Sequence, residues 1–321
     1  MRKLGPVLLF VLVLCSFVSP SYALDYPTKY VRIIVPYAPG GSAESQARTL
    51  AEELSRIWKQ QVIVEDKPGA GTTMGAAFVA NSSPDGYTLY LAGTSHTVSP
   101  SLYSGLRYDA VTSFAPVSRV ATSPFILMVN PSLKVNSVSE LLALARSQPD
   151  KLTYGTSGIG AGPHLSAEMF AADTKIKVRH VPFKGSAPAM TALLGSFVDF
   201  AFGDVSALPS IKSGSLKALA VTSIKRFPGL PDVPTFDETA AKGFDVTNWS
   251  AILAPADTPP EIVQFINHSI AEALAVPEVK RSFEIQGFEV TPSTPEALHD
   301  FMVSEVKKYR EVLKSAGIAP Q

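Results

Sequence analysis

Short β-branched runs alternate along the chain with stretches whose apolar residues recur every three or four positions. Tyr30-Val31-Arg32-Ile33-Ile34-Val35-Pro36 has the composition of a buried strand. Pro39-Gly40-Gly41-Ser42 breaks it, and from Ala43 to Lys59 the positions Ala47, Leu50, Ala51, Leu54, Ile57 and Trp58 fall at helical spacing. The order then repeats, with a strand from Gln61 to Glu65, a glycine-rich turn from Lys67 to Gly71, a small-residue helix from Thr72 to Asn81 and a strand from Tyr87 to Ala92. Such alternation predicts an α/β lobe around a largely parallel sheet.

Two further apolar runs, Phe114 to Val120 and Phe125 to Val129, are separated by Ala121 to Pro124, which reads as a first crossing into a second lobe. That lobe is expected to hold helices over 138–147, 163–172, 187–194 and 207–213, and strands over 152–155, 177–181, 198–202 and 217–222. The passage Phe227-Pro228-Gly229-Leu230-Pro231-Asp232-Val233-Pro234 cannot be helix or central strand and should run over the surface. A strand from Val246 to Ala254 returns to the first lobe, and amphipathic helices over 260–274 and 295–316 finish the chain. The expected organisation is a discontinuous first lobe, 24–122 with 247–321, and a second lobe, 123–246, joined by two crossings that act as a hinge. A chain of 321 residues, 46% of them hydrophobic, is large enough for two cores.

Met1-Arg2-Lys3, the apolar run Leu4 to Val18 and Ser21-Tyr22-Ala23 form a basic, an apolar and a small-x-small segment, the pattern of a signal peptide over 1–23 cleaved after Ala23. The alternative, a retained anchor, is opposed by a run shorter than the roughly 20 residues that cross a bilayer. Cys15 is the single cysteine, and Leu14 before it disfavours a lipobox. The mature chain then has no disulfide or thiolate chemistry. Removing Arg2 and Lys3 leaves 26 basic against 28 acidic residues, a balance that argues against nucleic acid as a partner. With no later apolar run long enough to span a bilayer, the expected location is the periplasm.

The loop Pro39, Gly40, Gly41, Ser42, Ala43 lies between a strand and a helix start, where unpaired amides and the helix dipole favour an anion. The second lobe repeats the arrangement in Gly155 and the run Thr156, Ser157, Gly158, Ile159, Gly160, Ala161, Gly162, with two hydroxyls as further donors. Ligands of open α/β sheets bind at the carboxyl ends of strands, so loops of facing lobes could grip one carboxylate from both sides. The blander reading is that each loop only starts a helix. Thr94 and Ser95, Lys184 and Asp204 stand at other strand ends; Lys184 could pair with a carboxylate, Asp204 could accept from an amine or hydroxyl, and Tyr37 could cover an apolar ligand body. Solvated turn, helix cap and core are the respective alternatives. Trp249 suits the core better than a ligand wall.

Enzyme signatures fail. Gly155-Thr156-Ser157-Gly158-Ile159 begins like a nucleophile elbow but ends on Ile159 instead of glycine, leaving Ser157 with His164 as a weak hydrolase alternative. Gly69-Ala70-Gly71-Thr72-Thr73-Met74-Gly75 places its third glycine one residue late for a dinucleotide loop. The five histidines, at 96, 164, 180, 268 and 299, show no metal-binding spacing, so neither cofactor nor metal is expected.

Val35-Pro36-Tyr37-Ala38-Pro39-Gly40-Gly41, Pro84-Asp85-Gly86-Tyr87-Thr88-Leu89, His180-Val181-Pro182-Phe183-Lys184-Gly185, Leu230-Pro231-Asp232-Val233-Pro234-Thr235 and Leu253-Ala254-Pro255 together resemble the substrate-binding proteins of tripartite tricarboxylate transporters, the Bug family, from about Tyr26 to the C-terminus. The resemblance implies a two-lobed type II periplasmic binding protein fold, with a hinge and an interlobe cleft that closes on a small carboxylate held by backbone amides. It also implies a monomer that works with one large and one small membrane subunit. It implicates Tyr37, the loop from Pro39 to Glu44, Thr94, Ser95, Thr156 to Gly162, His164, Lys184 and Asp204. The family often has Asp where Glu44 stands, so the longer side chain should reshape that helix start. Some relatives resemble accessory ligand sensors for signalling, which keeps a sensing role open beside uptake.

Overall fold

The computed structural model describes residues 25–320, and the signal peptide expected over 1–23 lies outside them. The strands are β1 (Val31–Val35), β2 (Val62–Asp66), β3 (Thr88–Gly93), β4 (Phe114–Pro124), β5 (Ile126–Val129), β6 (Thr153–Thr156), β7 (Arg179–Pro182), β8 (Phe200–Gly203), β9 (Lys217–Val221), β10 (Thr247–Pro255) and β11 (Glu289–Val290). The helices are α1 (Ser42–Trp58), α2 (Thr73–Ala80), α3 (Thr94–Leu102), α4 (Val138–Ser147), α5 (Gly162–Thr174), α6 (Ser186–Leu194), α7 (Leu208–Lys212), α8 (Phe236–Thr239), α9 (Pro260–Ala275), α10 (Pro277–Ile285) and α11 (Pro295–Ser315).

The strands form two sheets, in the orders β11-β4-β10-β3-β1-β2 and β7-β6-β8-β5-β9. In the first, β1 is parallel to β2 and β3, whereas β10 is antiparallel to β3 and β4, and β11 to β4. The expectation of a largely parallel sheet is corrected by these last three pairings. The cause is the crossing itself: β4 leaves for the second sheet and β10 returns from it, so they run in opposite senses and pair together. The second sheet repeats the scheme, with β6 parallel to β7 and β8 and β5 antiparallel to β8 and β9.

Each sheet is buried under helices whose apolar stripes match it. Ala47, Leu50, Ala51 and Leu54 of α1 pack with Val31, Ile33 and Val35 of β1 and with Ile266 and Ile270 of α9. In the second sheet Leu141 and Leu142 of α4 and Phe170 of α5 pack with Tyr154, Phe200 and Phe202. The proline-rich passage holds neither helix nor strand, as its prolines dictate, but Phe227 and Leu230 turn into the core beside Ile126 and Val221.

The crossings are shorter than the sequence suggests. Residues 121–124 stay in β4, paired with β10 as far as Pro124 opposite Thr247, and Phe125 alone separates β4 from β5. Thr222 ties the crossings together. Its N–H donates to the Phe125 carbonyl at 3.0 Å, its carbonyl accepts from Val246 N at 3.0 Å, and its hydroxyl accepts from Phe125 N at 2.8 Å while donating to Val246 O at 2.6 Å. A second contact joins the two halves: Val98 of α3, Leu165 of α5, and Tyr309 and Leu313 of α11 form a small buried apolar cluster.

Candidate functional site

Three helices start at one cavity of about 300 Å³ between the two sheets. Gly41, Ser42 and Ala43 at the start of α1, Thr94 and Ser95 at the start of α3, and Ala161, Gly162 and Pro163 at the start of α5 all line it. The N-cap positions of these helices, Gly41, Gly93 and Ala161, have no side-chain oxygen to close the first turn. Ser137 on α4, Thr235 on α8 and Thr294 on α11 supply such a cap, whereas α2, α6, α7, α9 and α10 also lack one. Open first-turn amides and three dipoles directed at one space favour a negative charge there. No lysine or arginine lines this cavity among the described residues, so main-chain amides and the hydroxyls of its wall are the donors an anion would meet, with the Asp204 carboxylate in the same wall.

Tyr37 lines the cavity with its hydroxyl close to Gly93, where an added Cβ would come within 2.9 Å of it. Burial raises the Tyr37 pKa, opposed by a hydrogen bond with Ser95. Asp204 also lines the cavity, its carboxylate accepting from Ser186 Oγ at 2.9 Å and from Ser206 N at 2.9 Å. Asp204, Ser42, Asn248 and Phe288 are shared with a larger outer recess of about 1110 Å³, which includes Ser186 and Lys212. Ser157 completes the sequence-predicted residues that reach the inner cavity.

Other candidates lie behind it. Glu44 turns back onto its own loop: Oε2 accepts from Gly40 N at 2.6 Å, and Arg48 pairs with Oε1. The Gly40 amide and then Arg48 hold the Glu44 carboxyl below its usual range. One donor of the first loop is thus taken by the protein itself. Pro39 and Gly40 are exposed beside the cavity. In the second loop Ile159 is 60% exposed and Thr156 is buried with its hydroxyl 2.6 Å from His180 Nε2. Gly158 and Gly160 do not line the cavity. Gly160 is demanded by packing, since it has φ +76° and an added Cβ would lie 2.5 Å from Leu102. Lys184 is exposed on the turn between β7 and α6 and does not line the cavity.

His164 is buried behind the loop rather than facing a guest. Its Nδ1 accepts from Gly160 N at 3.1 Å, its Nε2 lies 3.6 Å from Glu168, and its ring stacks on His180 at 4.2 Å. Neither nitrogen is engaged with Ser157, so the imagined Ser157–His164 pair is not assembled. Burial lowers the pKa of both imidazoles to about 4, with His164 further opposing charge on His180.

Sequence reasoning missed Gln46, Phe125, Asn248, Ser250 and Phe288, which also line the cavity. Gln46 had a readable signal, a polar side chain on the apolar face of α1 beside Ala47 and Leu50. Of the others, Phe125 stands at a crossing, Asn248 and Ser250 on β10 and Phe288 in the loop before β11.

A model of the tripartite tricarboxylate transporter family receptor matches residues 46–318. The chain belongs to this family. It is 34% identical to protein BugT of Bordetella pertussis over 99% of the chain and 98% of that protein. The receptor also superposes on the periplasmic binding protein BugD, with TM-score 0.75 and 37% identity over 92% of the chain and all of BugD. An R. palustris protein solved with adipate gives TM-score 0.78 and 33% identity, over 92% of this chain and all of that one. The receptor is a two-lobed α/β solute-binding protein and not an enzyme. Among the described residues no helix is long and apolar enough to cross a membrane.

Proposed function

We propose that this receptor captures a small carboxylate outside the cytoplasmic membrane and presents it to the large and small membrane subunits of a tripartite tricarboxylate-type transporter. The observation that carries this reading is the convergence of three uncapped helix starts on a cavity with no cation in its wall. A carboxylate matches open amides as acceptor to donor, and charge-assisted hydrogen bonds of this kind are the stronger class. The adipate held by the R. palustris relative points the same way.

The ligand-binding set on this reading is Tyr37, Gly41, Ser42, Ala43, Thr94, Ser95, Ser157, Ala161, Gly162 and Asp204, with the other loop residues supporting it. The halves 24–122 with 247–321 and 123–246 act as lobes about the crossings, and a bound guest shifts an open ensemble toward a closed one. The mature protein begins after Ala23 and works as a monomer. Titration calorimetry with acids from malonate to adipate, paired with small-angle scattering, tests the proposal. Expected are saturable heats and a smaller radius of gyration for at least one acid. No heat with any acid refutes carboxylate capture, and binding without compaction refutes closure.

A further inference from the structure

Gln46, in the second turn of α1, is 2% exposed and lines the cavity. Its Oε1 accepts from Ser250 Oγ at 2.7 Å, and Ser250, on β10, is itself buried against the same cavity. This bond tethers the carboxamide to β10. With the oxygen committed, the NH2 group has no acceptor among the described residues. That group is not sealed away from the cavity that Gln46 lines, so water or a ligand can accept from it. Leu91, Phe125 and Phe288 in the surrounding wall offer it nothing, and the Asp204 carboxylate in the same wall is engaged by Ser186 and Ser206.

We propose that Gln46 determines specificity by donating from its NH2 to a second hydrogen-bond acceptor on the ligand, whose first carboxylate sits at the helix starts. The inference rests on the carboxylate reading and deepens it. The class selected is an acid carrying a second oxygen acceptor at the end of a short carbon chain, against the matching acid with a methyl group there. Ser250 is the positioning residue that tethers the amide beside the guest.

The test compares two matched pairs, succinate with butyrate and adipate with hexanoate, by calorimetry on the full chain, Gln46→Met and Ser250→Ala. Methionine keeps length and burial while removing the donor. In the unaltered receptor the diacid of at least one pair binds ten times more tightly or better than its monoacid. In Gln46→Met that ratio falls below about threefold, through weaker diacid binding and not through tighter monoacid binding alone. Ser250→Ala, which keeps the amide but frees its rotation, gives an intermediate ratio and decides the matter if Gln46→Met does not fold. A ratio unchanged in the folded variants overturns the role of Gln46 while leaving carboxylate capture intact. Equal binding within both pairs by the unaltered protein does the same. Silence with all four acids overturns the carboxylate reading and this inference together.

Discussion

Replacing His164 by phenylalanine separates two roles that one ring combines. The imidazole must be neutral at Nδ1 to accept the Gly160 N–H, and Glu168, His180 and Tyr154, whose hydroxyl donates to Glu168, are the titratable groups around it. Phenylalanine keeps an aromatic ring to stack on His180 but is bulkier and leaves Gly160 N without its acceptor, at a cost of about 1–3 kcal/mol near pH 7. The pH dependence runs the other way. Burial lowers the His164 pKa from 6.5 to about 4, so the unfolded chain takes up the proton first as the solution is acidified. Stability from this group is complete above pH 6.5, falls between 6.5 and 4, and levels off below. At about 1.4 kcal/mol per pKa unit the loss is about 3 kcal/mol. His164→Phe lacks this loss, so its deficit at pH 7 should shrink or reverse by pH 4.5. His96, also lowered to about 4, titrates alike in both proteins, whereas His180 is relieved of the opposing His164 charge in the variant, which narrows the gap in the same direction. Urea denaturation from pH 7.5 to 4.5 measures the gap. A gap that stays constant across the range refutes His164 as the titrating acceptor that pins the loop.

Gly41→Val tests the first helix start: Gly41 has φ −91° and an added Cβ meets nothing nearer than Ala38 O at 3.9 Å, so the variant should fold normally yet bind the best acid about 2 kcal/mol more weakly by calorimetry. Gly158, at φ +139°, is the poorer probe because any side chain there is strained. Thr222→Val keeps shape but removes the hydroxyl that joins Phe125 to Val246, and should lower the unfolding free energy by about 1–3 kcal/mol. It should also raise hydrogen exchange at Phe125 and Val246; unchanged exchange there would deny Thr222 its role as a tie.

The alternating framework was legible because buried strands and one-sided helices leave different periods in sequence, and β1, α1, α4, α9 and α11 fall within two residues of expectation. α3 was not legible. Thr94-Ser95-His96-Thr97 has no apolar period, and its helix is held by tertiary contacts: His96 is buried, bonds Ala110 O at 2.7 Å and stacks on Tyr108. The short α8, α10 and β11 were overlooked for the same want of a long repeating pattern. At the site, glycine runs located two of the three helix starts, but sequence could not tell which amides remain open. Glu44 closing Gly40 and His164 closing Gly160 depend on side chains folding back within one turn, and Lys184 looked useful only because charge is visible in a sequence and amide direction is not.

The placement of α3 and α5 links the cavity to the contact between the lobes. α3 presents Thr94 and Ser95 to the cavity and, one turn on, Val98 to the apolar cluster; α5 presents Gly162 to the cavity and Leu165 to the same cluster. At the far end of α3, Leu102 lies against Gly160 of the opposing loop. On the proposed binding, a guest held by both helix starts acts on two helices that meet in one apolar cluster with α11. Because α3 belongs to the half carrying β3 and α5 to the half carrying β6, drawing their starts together cannot be absorbed within one sheet. On the proposed closure the displacement appears in the cluster of Val98, Leu165, Tyr309 and Leu313 and at the crossings tied by Thr222. On the proposed closure, cavity occupancy and lobe angle are coupled through these helices and α11.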